Sequence, residues 1–409
     1  MDLLSKIFKI DKGQHQLALD VGTESAKALV FFSDSKDEKV TIRGTGIKKH
    51  KAGSMQGGAV FDVDSVIKTC RSAIEDAEAM AKVKPLRTTI SIGGEYSKNL
   101  TQTYSFQRQD EQVRISLLEL DGILRRAQEK VYESSKNILK WQDSKLISAD
   151  VVDFSIDGYR VINPVNFKGK NIRITVSNSY VAKDQYDVTK NIAAGLGLSI
   201  SNISYGPYAV LKAIGAQDIM KFNAIFLDVG GGTTDVVVIR DRNIEDDKFF
   251  IFGGKAFTKS ISNALDVDFD NAEKIKLEYS SGVMSGEFRE TVEKIIRTDL
   301  RIWSGGVGLC LEELSRNNLL PSKILLYGGG SHLSGIKEEV EKLLRANKYP
   351  FSDKPEVSFI GPSDVINAVD ATKNANTMQF VTAISLANLS LDLANEEDLP
   401  NQILKKMLL

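Results

Sequence analysis

An α/β chain whose two related lobes face each other around a cleft is the fold class this sequence predicts, and three observations predict it. A strand, an Asp-x-Gly turn and a second strand occur twice, first within Gln16–Phe32 and again from Ile225 to Ile239. Helical patterns follow the strands in both halves, which reads as one plan used twice. The length of 409 residues is more than a single core organises, so several subdomains share the chain.

Composition narrows the class further. Hydrophobic residues make up 42 % and charged residues 26 %, the usage of a globular protein. Lys plus Arg (53) balances Asp plus Glu (54), and no basic stripe alternates with aromatics, so nucleic acid is not an expected partner. Cys70 and Cys310 stand far apart with no histidine near either, which excludes a disulfide framework and a zinc site and fits a reducing cytoplasm. No apolar run approaches the ~18 to 20 residues needed to span a bilayer.

Taken in order, the apolar hairpin ends in turn residues at Ser33–Asp37. A helix is expected over Val63–Lys82, with Val66, Ile67, Cys70, Ile74 and Ala77 on one face and Asp62 or Asp64 at its start. Thr88–Ile92 is a strand ending in Gly93-Gly94. The texture then changes to alternating strands around a charged helix (Ser116–Val131), with β-rich stretches at Ser148–Phe154 and Ile172–Val176; this is an inserted α+β module. A helix at Tyr186–Ala194 precedes the second hairpin, and Ser322–Tyr327 is a strand entering Gly328-Gly329-Gly330-Ser331. Asn376–Leu389 is the last helix of the body, and Ala394–Pro400 reads as a solvated linker. Both ends carry short amphipathic stretches, with Leu3, Leu4, Ile7 and Phe8 beside Lys6 and Lys9, and Ile403, Leu404, Met407 and Leu408 beside Lys405 and Lys406. Packing on the body and contact with a membrane surface are equally open to them.

The chemistry lies in the turns. A strand that delivers Asp20 and then Gly22-Thr23 sets a carboxylate beside exposed backbone amides able to cradle phosphate, and Asp228 with Gly230-Gly231-Gly232-Thr233-Thr234 repeats this. A lone Asp-x-Gly-Thr is what any tight hairpin uses. Three glycines flanked by paired threonines and aspartates exceed what a plain hairpin needs. Two such loops face to face suit the phosphates of a nucleoside triphosphate, with Asp20 and Asp228 directed at Mg2+ through water. Gly328, Gly329, Gly330 and Ser331 would let the backbone approach adenine and ribose, although a strand-to-helix turn uses the same residues. Glu273 and Lys276 share a helix face and suit ribose hydroxyls and the purine edge, or form an ordinary ion pair.

In this order, Leu19-Asp20-Val21-Gly22-Thr23, Leu227–Asp235 and Leu326–Gly330 resemble the phosphate-1, phosphate-2 and adenosine motifs of the superfamily of actin, sugar kinases and heat-shock chaperone ATPases. Within it the chain resembles the bacterial cell-division FtsA family, through Phe252-Gly253-Gly254, Thr258-Lys259-Ser260-Ile261 and Ala272-Glu273-Lys274-Ile275-Lys276 before Gly282. Lys259 and Ser260 depart from the family pattern, in which an Asp usually precedes that Ile. Val151–Gly158 and Ile162-Asn163-Pro164-Val165 are similar to the end of the family's inserted subdomain.

The resemblance implies an actin-like fold. It divides the chain into subdomain 1A (residues 1–95, 172–222 and 361–394), inserted subdomain 1C (96–171), 2A (223–243 and 302–360), 2B (244–301) and a linker with an amphipathic tail (395–409). It also implies ATP and Mg2+ as cofactors. Thr23, Glu24, Ser25, Lys27 and Gly254 then join the loop glycines, Glu273 and Lys276 as nucleotide contacts. Filaments of the chain itself, the tubulin-like division protein FtsZ, other division proteins and the cytoplasmic face of the membrane are the implied partners. Many relatives hold Glu or Gln before the proline of the connecting helix to orient the attacking water. Here that position is Gly206, followed by Pro207, so at most a slow ATPase is expected. A pilus-assembly protein of the PilM kind and a small-molecule kinase of the same superfamily are the alternative readings.

Overall fold

A computed structural model of the chain describes residues 14–34, 39–93, 96–139, 143–214, 222–346, 349–395 and 399–406. The first lobe opens with β1 (Gln14–Val21), β2 (Ser25–Asp34), β3 (Lys39–Lys49), the small hairpin β4 (Met55–Gln56) and β5 (Ala59–Val60), α1 (Val63–Ala81) and β6 (Arg87–Ile92). The inserted module follows as β7 (Ser97–Gln107), α2 (Leu117–Ile138), β8 (Ser144–Ile156), β9 (Tyr159–Arg160) and β10 (Asn171–Ala182). Then come α3 (Lys183–Leu196), β11 (Ser199–Tyr205) and α4 (Gly206–Ala213). The second lobe holds β12 (Ala224–Val229), β13 (Thr234–Arg240), β14 (Asn243–Phe250), α5 (Gly254–Leu265), α6 (Phe269–Ser281), α7 (Gly286–Leu314), β15 (Lys323–Tyr327), α8 (Ile336–Ala346) and β16 (Glu356–Phe359). The chain returns through β17 (Ala368–Asp370) and α9 (Val381–Asn395) to α10 (Leu399–Lys406).

The expected duplication is visible strand by strand. The first sheet has the order β11-β6-β1-β2-β3-β17 and the second β14-β13-β12-β15-β16. Read from the same end, each is an antiparallel three-strand meander, β1-β2-β3 or β12-β13-β14, whose first strand is flanked by two parallel strands. β1 and β12 are therefore central strands, which is why Leu17, Ala18 and Leu19 and likewise Ile225, Phe226 and Leu227 are fully buried. Both central strands carry an aspartate one residue before their end, at the same edge of their sheets.

Helix α1 starts where capping residues predict, the Asp62 carboxylate accepting the Ser65 N–H at 3.0 Å. The inserted module forms its own sheet, β7-β10-β8-β9, with a core under α2. Its expected end at residue 171 falls at the first residue of β10, and the sheet continues to Ala182. The module belongs to the first lobe by connectivity but is bonded to the second. Lys98 Nζ donates to Asp246 Oδ1 at 2.6 Å, to the Asp247 carbonyl at 3.0 Å and to Asp247 Oδ1 at 3.3 Å. Asn99 Nδ2 and Thr101 Oγ1 both donate to the Ile244 carbonyl at 2.9 Å.

The C-terminal segment departs from expectation. Leu399 and Pro400 open helix α10 instead of ending a solvated linker. Ile403 and Leu404 are 6 % and 1 % exposed in the module's core. β9 pairs with β8 only at Ser155 and Ile156, leaving the rest of that strand edge open, and Asn401 covers it. Its Oδ1 accepts the Val151 N–H at 2.5 Å and its Nδ2 donates to the Val151 carbonyl at 3.3 Å, satisfying backbone groups that an edge strand would otherwise expose. Residues 1–9, with the other amphipathic stretch, lie outside the described residues, as do Met407 and Leu408. No helix among the described residues is long and apolar enough to cross a membrane.

If α10 is held by Leu404, Leu404→Glu should undock it at a cost of about 2–3 kcal/mol in lost burial. Hydrogen exchange at the Val151 amide should then accelerate by about 30-fold or more at that cost, with the body still folded. Unchanged exchange would show that the helix is held by something else.

Candidate functional site

The two Asp-Gly turns are the same turn. Val21 pairs with Ala26 and Val229 with Thr234, so each loop holds four residues. Gly22 N–H donates to the Ser25 carbonyl at 3.2 Å, and Gly230 N–H to the Thr233 carbonyl at 2.9 Å. Across the cleft the loops touch. A Cβ on Gly231 would stand 2.6 Å from the Cβ of Glu24, and one on Gly232 would stand 2.7 Å from Thr23 Cγ2, closer than real side chains approach. Glycine is therefore required at both positions for steric reasons.

The second loop is braced from behind by α5, whose Gly254 and Lys255 N–H groups donate to the Gly230 and Gly231 carbonyls at 2.9 and 2.8 Å. With those carbonyls turned away, the amides of Thr23, Glu24, Gly231 and Gly232 have no hydrogen-bond partner among the described residues. Such a set of free N–H groups attracts an anion. Lys255 Nζ reaches across the lobes to the Thr23 carbonyl at 3.0 Å and Glu24 Oε2 at 3.1 Å.

These loops floor one cavity of about 510 Å³ between the lobes, within the range of ligand sites. Of the residues expected to hold nucleotide, Asp20, Gly22, Thr23, Glu24, Ser25, Lys27, Asp228, Gly230, Gly231, Thr233, Gly254, Glu273, Lys276, Gly328, Gly329 and Gly330 all line it. Gly232 is spent on the contact with Thr23. Thr234 and Ser331 face elsewhere: Thr234 Oγ1 donates to the Phe252 carbonyl at 2.7 Å and accepts the Trp303 indole N–H at 2.9 Å. Ser331 Oγ donates to the Tyr327 carbonyl at 2.6 Å. Both are buried, and their hydroxyls hold the loops from within the core.

Charge differs between the two matching turns. Asp20 is paired across the hairpin with Lys27, whose Nζ lies 2.9 Å from Asp20 Oδ2, and Ser91 Oγ donates to Asp20 Oδ1 at 2.8 Å. In the second lobe the residue paired with Asp228 is Asp235, a second acid facing the same cavity. Burial, and then the charge of Asp20, push the Asp228 carboxyl up to about 7. Among the described residues no three metal-ligating side chains converge. A Mg2+ ion here would have to complete its shell with water and phosphate oxygens, as that ion prefers.

The third glycine turn packs on this acid. Gly328 has φ +90°, and a Cβ there would lie 2.4 Å from Asp228 Oδ1. On the opposite wall, Lys276 Nζ donates to Glu273 Oε2 at 2.7 Å, to Thr258 Oγ1 at 2.8 Å and to the Gly254 carbonyl at 3.0 Å, and Thr258 donates to the same Glu273 oxygen. Burial opposes ionisation of Glu273, but Lys276 outweighs it and holds the carboxyl below its usual range. Gly206 and Pro207 reach the cavity from the start of α4.

Several residues here had no sequence signal. Asp235 belongs to the glycine-rich motif, but nothing in the sequence marks it as a second acid at the cavity, which follows from its pairing with Asp228. Lys255, Ser91, Thr377, Gln379 and Thr382 reach the cavity from segments with no motif of their own. His50 packs behind the first loop, its N–H bonded to the Glu24 carbonyl at 2.9 Å. Both of its ring nitrogens are buried without a partner, and burial followed by the charges of Lys255 and Lys27 lowers its pKa to about 4.

Residues 225–385 match the family model described as cell division protein FtsA. The chain is 27 % identical over 405 residues to a cell division protein FtsA of Neisseria meningitidis serogroup B (strain ATCC BAA-335 / MC58), covering 93 % of this chain and 91 % of that relative. It is 22 % identical over 398 residues to one of Enterococcus hirae, covering 90 % and 86 %. Among solved structures it resembles a chain of a PilM-PilN type IV pilus biogenesis complex, with a TM-score of 0.68 and 16 % identity over 92 % of this chain and 98 % of that one. It also resembles the ethanolamine utilization protein EutJ from Carboxydothermus hydrogenoformans, with a TM-score of 0.52 and 14 % identity over 92 % and 90 %. At such identities the shared property is the fold, which is actin-like.

Lys276→Met should leave the Glu273 carboxylate buried beside a lost cation and destabilise the second lobe by about 3 kcal/mol. Adding Glu273→Gln should restore most of that loss. Chemical denaturation of the two single variants and the double variant measures this, and additive losses would contradict the coupling.

Proposed function

The chain is a relative of the FtsA cell division proteins built on the actin-like fold, and from that premise we propose that it binds ATP with Mg2+ between its lobes. The observation that carries this reading is the pair of matching turns, which offer free backbone amides to one cavity from opposite lobes, with a carboxylate at the foot of each. The triphosphate lies between Gly22-Thr23 and Gly230–Thr233. Asp228 and Asp235 would hold Mg2+ through water, whereas Asp20 is already paired with Lys27. The third glycine turn and the wall made by Glu273 and Lys276 take the nucleoside.

In this reading the chain is an assembly unit of bacterial cell division. It forms filaments on the cytoplasmic face of the membrane and recruits the tubulin-like division protein FtsZ there. Residues 96–171 serve as a contact region, supported by the module's separate core and its bonds to the second lobe. Turnover is slow because Gly206 offers no side chain to hold water. Membrane contact through Ile403 and Leu404 would require α10 to leave the module, so Met1–Lys9 carries the larger share of any attachment.

Asp228 gives this function a pH signature. Its carboxyl is raised above the unfolded value of 3.8 to about 7 in the folded protein, so the neutral form is the one folding favours. Stability from this residue is complete below the unfolded value and is lost as pH rises through 7. Asp228→Asn should therefore raise the melting temperature at pH 8 relative to the unsubstituted chain, with a smaller gain at pH 5 and little below the unfolded value of 3.8. It should also weaken binding of a fluorescent ATP analogue with Mg2+ by at least about tenfold, as loss of a charged contact does. Undiminished Mg2+-dependent binding in this variant would count against the proposed site.

A further inference from the structure

Three polar side chains without an assigned role reach the cavity from the segment that carries the chain back into the first lobe: Thr377, Gln379 and Thr382. Thr377 Oγ1 is buried without a hydrogen-bond partner. Among the described residues no hydrogen bond engages the side chain of Gln379 or of Thr382. An orphaned buried hydroxyl is unfavourable unless water or a ligand satisfies it, so this wall is suited to holding a polar guest.

Its position is specific. A Cβ at Gly206 would stand 3.3 Å from Thr382 Cγ2, so Thr382 fills the volume that a longer side chain at the head of α4 would take. Gln379 lies on the other side, its Cβ 3.6 Å from where a Cβ at Gly329 would be. Thr382 and Gln379 thus bridge the start of α4 in the first lobe and the third glycine turn in the second.

We propose that Thr382, backed by Gln379 and Thr377, positions the water that attacks the terminal phosphate, in place of the side chain absent at Gly206. This rests on the ATP-binding reading above. In that step the water oxygen bonds to the γ-phosphorus. The bond from γ-phosphorus to the oxygen bridging the β-phosphate breaks, and that oxygen keeps the electron pair as ADP leaves. The water proton passes to the departing orthophosphate and then to solvent. A threonine hydroxyl is not a base at neutral pH; it accepts a hydrogen bond from the water and orients it. Thr382 is thus a positioning residue, and its effect falls on the chemical step alone.

The test compares Thr382→Val, which keeps the shape and the contact with Gly206, with Thr382→Ser, which keeps the hydroxyl. Affinity for a fluorescent ATP analogue is measured separately from single-turnover hydrolysis of ATP. Thr382→Val should slow hydrolysis by about 10-fold or more with affinity changed less than about twofold, and Thr382→Ser should stay near the unsubstituted rate. Equal rates in the valine variant and the unsubstituted chain would overturn the assignment. So would loss of rate and affinity together, or an unsubstituted chain that binds ATP and never hydrolyses it. A chain that binds no ATP would refute the function proposed above, and this assignment with it.

Discussion

Contact between two turns of opposite lobes is the constraint on which the rest of the structure depends. Thr23 and Glu24 meet Gly231 and Gly232 at distances that leave no room for a side chain on the second partner. Once those backbones are in contact, the amides of both loops share one small volume, and the acids at the strand ends are brought to the same cavity. Gly328 must then bend through a positive φ against Asp228, and Lys255 can span the lobes to Thr23 and Glu24. The ring of glycines is thus a consequence of how closely the lobes approach.

Electrostatics give the matching turns different duties. The same hairpin plan carries a lysine opposite the first aspartate and an aspartate opposite the second. In the first lobe the aspartate is paired with a cation, while the second sets two carboxyls side by side in a buried place, where a bound cation would favour their charged forms. The inserted module is tied by Lys98, Asn99 and Thr101 to β14 of the second lobe. A change in the angle between the lobes must therefore either carry the module along or break a buried polar joint.

Much of this was legible in the sequence because it is local. A strand ending in Asp, a glycine turn and a returning strand announce themselves within a few residues, and their repetition announced the second lobe. Helix α1 was legible from its apolar face and its Asp62 cap for the same reason. What escaped depends on contacts between distant segments. Nothing around Thr382 signals that it fills the space beside Gly206, and nothing around Lys255 signals its reach to Thr23. Thr234 and Ser331 match a binding motif, yet their hydroxyls are consumed by Phe252, Trp303 and Tyr327. The C-terminal stretch is amphipathic on either fate, and only the open edge of β8 and the Asn401 amide decide that it packs on the module.

The most direct test of the account is an experimental structure of the chain with a non-hydrolysable ATP analogue and Mg2+. The triphosphate is expected between Gly22-Thr23 and Gly230–Thr233, its oxygens on the backbone amides of both turns, with the cation beside Asp228. A triphosphate seated elsewhere, or a cleft that stays empty at saturating nucleotide, would contradict it.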